Sequence, residues 1–124
     1  MRFAKMGAVL HVLWGLVHIK AGLDGFALGA SLTSGLVQGK INQGAWDVLA
    51  FALAAIALAV TLNWKNDAVG YWASLVLVSA ADLGFIIFVL LPGHIDLIPG
   101  VIGPALWLGA ALFSSLGHWQ RKGG

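Results

Sequence analysis

Asp82 stands in the middle of an apolar run from Tyr71 to Leu91. The run is about 20 residues, enough for a helix to cross a hydrocarbon core of roughly 30 Å. A carboxylate at that depth costs on the order of 3 kcal/mol or more unless it finds a partner or takes up a proton. Histidine is the partner the chain offers. In the first apolar stretch Gly7, His11, Gly15, His18 and Gly22 follow one another at intervals of four, four, three and four. That spacing predicts one helical face, with the histidines turned into the protein interior beside Trp14. Three glycines on the same face let a neighbouring backbone come close, so glycine-mediated packing with hydrogen-bonded histidines is the plainer reading of the stripe.

Rise per residue tests whether these groups can meet. Counted at 1.5 Å per residue from one membrane face, His11 lies at ~10 Å, Trp14 at ~15 Å, His18 at ~21 Å and Asp82 at ~16 Å. Trp107, in the last apolar stretch, falls near the same level. With the first and third helices facing across a bundle, Asp82 reaches one histidine or both, and Ser79 lies one turn earlier. The predicted centre is therefore a polar cluster of His11, Trp14, His18, Asp82 and Trp107. A buried Asp beside His can pass a proton, as chains of such groups do in pumps and transporters. Between apolar walls the same pair suits a lipophilic, quinone- or sterol-like molecule with one polar end. The expected function is a small membrane binding or accessory subunit. The alternative is a membrane-embedded isomerase or proton-coupled small-solute transporter using Asp82 with His18 or His11.

A second polar set, Lys20, Asp24, Asp47, His94 and Asp96, collects at the opposite membrane face. It reads either as solvated loop charge or as a funnel leading inward past His18. His18, His94, Asp47 and Asp96 are acceptable zinc or copper ligands, but no pair has the short spacing of a metal motif, and no metal site is assigned. A bis-histidine haem needs ligands from two helices at one depth, and only the first helix has histidines well inside; His118 reaches His11 only if helices tilt. No cofactor is assigned. Neither a serine triad pattern nor a glycine-rich phosphate loop is present, and the absence of cysteine removes thiol chemistry.

The elements that must position these groups are helices in a bilayer. The chain of 124 residues is 60% hydrophobic and 10% charged, against about 25% charged in soluble domains. Four apolar stretches, approximately 4–23, 45–63, 71–91 and 99–119, predict an all-α membrane protein, a bundle of four transmembrane helices forming one domain over 1–124. Between the first two, residues 24–44 are glycine-rich with leucines at 28, 32 and 36, which predicts an interfacial or re-entrant segment. Asp47 falls in the first turn of the second helix, where it suits the helix dipole. Pro92 and Gly93 end the third helix. Pro99 suits a first turn, and Pro104 is placed to kink the fourth.

Arg2, Lys5, Lys65, Arg121 and Lys122 fall on one side of such a bundle and Lys20 and Lys40 on the other. This bias predicts that the N and C termini are both cytoplasmic. His11, His18 and Lys20 argue against reading the first stretch as a cleaved signal. The cations are too sparse for nucleic acid. The partners are the bilayer and a lipophilic small molecule, and the small-residue faces leave room for a homo-oligomer or a larger membrane complex.

The segment GLVHIKAGLDGF, with Lys20 before Ala21 and Gly22, resembles the first helix of DoxX-like proteins, small four-helix bacterial membrane proteins. The resemblance covers about 20 residues. It implies an inner-membrane protein of that architecture, sometimes an accessory to redox systems; Asp82 and the histidine stripe lie outside it.

Overall fold

The computed structural model describes residues 1–124 and is all-helical. The helices are α1 (Arg2–Ala30), α2 (Leu36–Thr61), α3 (Ala68–Phe85), the single turn α4 (Leu97–Gly100) and α5 (Ile102–Gly123). A 3-10 turn (Asn63–Lys65) joins α2 to α3, and a π-helical turn (Ile86–Leu90) continues α3. Four helical stretches are long and apolar enough to cross a membrane. α1 packs mainly against α2 and α5, and α3 against the same two. That leaves α1 and α3 diagonal, an arrangement compatible with a four-helix bundle. Gly117 lies against Ala4, so both chain ends are at one end of the molecule, here called the terminal end.

Side-chain caps set two of the boundaries. Asp67 caps α3, its Oδ1 accepting from Val69 N at 2.8 Å and Gly70 N at 3.2 Å, and satisfies two of the amides that a helix start leaves without partners. At the opposite end Gln38 Nε2 donates to the carbonyls of Gly29 (3.0 Å) and Leu32 (3.2 Å). These bonds tie the start of α2 to the finish of α1.

The Gln38 tie bears on the expected interfacial or re-entrant segment over 24–44, which does not exist as a separate element. Residues 24–30 extend α1 by almost two turns, and α2 begins at Leu36 after a break at Gly35, whose φ of 155° favours glycine. Leu28, Leu32 and Leu36 therefore straddle a helical hairpin. Asp47 consequently sits three turns inside α2, too far from its N-terminus to feel the dipole there. Pro104 does not kink its helix either. It occupies the first turn of α5, where a missing N–H removes no helical bond, and the break lies instead at Ile98, with φ −114° and ψ 119°.

The small-residue stripe of α1 meets two neighbours rather than one. A Cβ on Gly7 would collide with Ser114 of α5, whereas one on Gly15 would collide with Ile56 of α2, and one on Gly22 would come within 3.2 Å of the Ala45 carbonyl. Eight residues at 100° each advance the stripe by about 80° round the helix between Gly7 and Gly15. Along this stripe Gly7 therefore meets α5, whereas Gly15 and Gly22 meet α2. His11 and His18, seven residues apart, point within about 20° of one another, and the ~10 Å between them along the axis puts them in different surroundings.

Candidate functional site: a buried carboxylate beneath an apolar cavity

Asp82 is completely buried on the inner face of α3, which also carries Tyr71, Ser74 and Val78. Its nearest donor is an indole: Trp14 Nε1 donates to Oδ2 at 3.0 Å. Four residues along α1, His18 turns its ring flat against that indole, with centroids 3.8 Å apart and planes inclined by 21°. His18 Nδ1 lies 2.8 Å from the Trp14 carbonyl oxygen. A carbonyl only accepts, so Nδ1 carries a hydrogen and Nε2 is the nitrogen left to face Asp82. Nε2 lies 3.4 Å from Oδ1, without the alignment of a hydrogen bond, and Oδ1 has no other partner. Glycine at position 103 of α5 makes room for this arrangement, because a Cβ there would come within 3.0 Å of His18 Cε1.

Above the pair a cavity of ≈ 480 Å³ opens between the helices. His18, about one-seventh exposed, forms part of its wall, and Asp82 lies behind, out of direct reach. Val48 and Phe51 of α2, Ala81 and Phe85 of α3, Ile95, Pro99 and Ile102 supply most of the remaining lining. Lys20 and Asp24 stand at its edge as an exposed i,i+4 ion pair at 2.6 Å, and Asp47 also lines it. Apolar walls with a few polar groups converging at one place are the usual make-up of a small-molecule site, and the volume falls in the usual range of roughly 300–1,000 Å³.

The predicted cluster is thus brought together in part. Trp14, His18 and Asp82 form one constellation. His11 is buried elsewhere, beside Tyr71, Ser74 and Ser114. Trp107 borders the same region as His11, and its Nε1 donates to Ser79 Oγ at 2.9 Å, so that both act apart from Asp82. Of the outer set, Lys20, Asp24 and Asp47 reach the cavity, while His94 and Asp96 are exposed and do not line it. No three His, Asp or Glu side chains converge in a geometry that would hold a metal ion.

Two features had no clear sequence signal. The apolar lining of Phe51, Phe85 and Ile102 cannot be told from any other apolar residue of a membrane-length helix. The second is another polar layer nearer the terminal end. There Asn63 Nδ2 donates to Ser74 Oγ (2.7 Å), Asn66 Nδ2 to the Gly117 carbonyl (2.8 Å), and Tyr71 stacks on His118 at 4.2 Å. His11 Nδ1, Asn63 Oδ1, Ser114 Oγ and His118 Nε2 are buried there without protein partners. Trp14, Ala55 and Val78 form the apolar core of the bundle.

Helices of this length and apolarity suggest a multi-pass membrane protein. No family model, no curated protein and no solved structure matches the chain.

Proposed function

We propose that this protein is an integral membrane binding protein that holds a lipophilic molecule in the cavity above His18. The observation that carries the reading is the cavity itself, ≈ 480 Å³ and largely apolar, with one backed histidine in its wall. Trp14 holds the His18 ring from one side and Asp82 lies behind it, so the imidazole is a fixed polar group in the wall against which an oxygen of the occupant can rest. A quinone- or sterol-like molecule has the required form, an apolar body with an oxygen at one end. The five-to-two distribution of cations supports cytoplasmic N and C termini, and the DoxX-like resemblance a bacterial inner membrane. The DoxX-like likeness of the first helix adds the expectation of an accessory role within a larger complex.

One observation favours a second reading in which the same site exchanges protons. Nδ1 keeps its hydrogen on the Trp14 carbonyl, so a single proton shared by Nε2 and Oδ1 completes the pair, and a ligand oxygen that reached Nε2 would take that proton from it directly and leave Asp82 ionised. An isomerase or a proton-coupled carrier would use that step.

Titration of the nanodisc-embedded protein with a short-chain benzoquinone separates the cases. Saturable quenching of tryptophan fluorescence is expected, and Ala81→Leu, which narrows the cavity from its α3 wall, should weaken it. Quenching that is linear in quinone and equal in the two proteins would count against a quinone-like occupant. Quinone-dependent proton uptake that disappears in Asp82→Asn would move weight to the proton-exchanging reading.

A further inference from the structure

We infer that the cleft between α1 and α5 at the terminal end is a binding site for an anionic phospholipid. Arg2, Lys5, Met6 and Val9 follow one another at i, i+3, i+4 and i+7, so they form a single stripe on α1. The stripe is graded along its length, with two cations at the chain end and apolar side chains from there inward. Together with Leu10, and with Phe113 of α5 as the opposite wall, it encloses an open groove of ≈ 410 Å³. Phe3 stacks on Phe113 with ring centroids 6.1 Å apart and fixes that wall. Gly109 lets Leu10 settle against α5, because a Cβ there would come within 3.2 Å of Leu10 Cδ1.

The charge pattern selects the occupant. No carboxylate lines the groove, and Asp67, the acidic side chain of the nearby α2–α3 turn, is engaged with the amides at the start of α3. Lys5 lines the groove, and its Nζ rests 5.2 Å from the Trp64 ring centroid, a contact that leaves its N–H groups available. From Arg2 to Leu10 the groove descends ~12 Å, enough for the upper part of an acyl chain below a phosphate at the level of the cations. Basic pockets between membrane helices on the cytoplasmic side bind anionic headgroups in this way. A soluble anion would gain the cations but leave the apolar walls uncovered. A neutral lipid would cover the walls but leave the cations without a counter-charge. The inference rests on the membrane reading above and is independent of the cavity.

The test is lipid retention by native mass spectrometry after purification from vesicles of equal phosphatidylglycerol and phosphatidylcholine. Each cation near the membrane surface favours an anionic lipid by roughly fivefold. The protein should therefore retain phosphatidylglycerol at least tenfold over phosphatidylcholine, Arg2→Gln/Lys5→Gln should approach parity, and Val9→Trp should lower retention of both. Equal retention of the two lipids overturns the inference. So does a preference that survives in Arg2→Gln/Lys5→Gln, which would assign it to Arg121 and Lys122, or displacement of the lipid by millimolar inorganic phosphate alone. A protein that leaves the membrane in alkaline carbonate would overturn the membrane reading instead, so the two failures are distinguishable.

Discussion

Trp14→Phe isolates one hydrogen bond at the centre of the bundle. The substitution keeps an aromatic ring against His18 and removes the N–H that Asp82 Oδ2 accepts at 3.0 Å. Oδ1 has no hydrogen-bond partner, so the variant leaves the buried carboxyl with only His18, at 3.4 Å. Loss of a hydrogen bond to a carboxylate costs about 1.5–3 kcal/mol. The smaller ring adds about 1 kcal/mol at ~24 cal/mol per Å³ of cavity. Trp14→Phe should therefore destabilise the protein by about 3 kcal/mol, read as equilibrium unfolding in mixed micelles. Asp82→Leu removes the acceptor and leaves the buried Trp14 N–H without a partner, which should cost about 1–3 kcal/mol. In the double variant neither group is left without its partner, so its loss should fall short of the sum of the single losses by about 2 kcal/mol. Additivity within ~0.5 kcal/mol would show that indole and carboxylate do not interact, and would refute the reasoning.

The other expectations concern how the bundle is built. Gly7→Val drives a side chain into Ser114 of α5 and should cost about 1–3 kcal/mol, whereas Gly44→Ala, which meets open space, should raise stability slightly; thermal unfolding compares them. Asp67→Ala removes the cap of α3 and should cost about 1 kcal/mol, with Asp67→Asn recovering most of it. Ser114→Ala deletes a buried hydroxyl that has no protein partner and should be neutral or stabilising, in contrast to Asn66→Ala, which removes a buried hydrogen bond to the Gly117 carbonyl and should cost about 1 kcal/mol. Reporter fusions at the two termini should both read cytoplasmic, and a periplasmic reading at either end would overturn the proposed orientation.

Helix number was legible because hydropathy integrates over whole turns, and a run of some 20 apolar residues leaves few alternatives. The hairpin between α1 and α2 was not, because Gly25, Gly29 and Gly39 weaken local helical signals that Gln38 and the contact of Gly29 with Asn42 restore through tertiary structure. The meeting of Asp82 with His18 was legible from height alone. Height did not choose between the histidines, however: His11 and His18 share a face of α1, and the ~10 Å of rise between them leaves His11 in a separate layer beside Ser74 and Ser114. The same arithmetic put Trp14 within ~1 Å of the level of Asp82. Its indole N–H is the donor that a buried carboxylate needs, although in sequence it reads first as a wall. Phe51 and Phe85 were beyond reach, since an apolar residue in an apolar helix carries no mark of whether it faces lipid, core or cavity.

Native mass spectrometry of the protein taken from its own membrane in mild detergent, beside Ala81→Leu prepared in the same way, tests the central claim most directly. A discrete lipophilic adduct of one per chain, extractable into organic solvent, is expected, reduced when Ala81→Leu narrows the cavity and retained in Arg2→Gln/Lys5→Gln. A wild-type protein with no adduct beyond bulk phospholipid, or an adduct carried equally by Ala81→Leu, would contradict it.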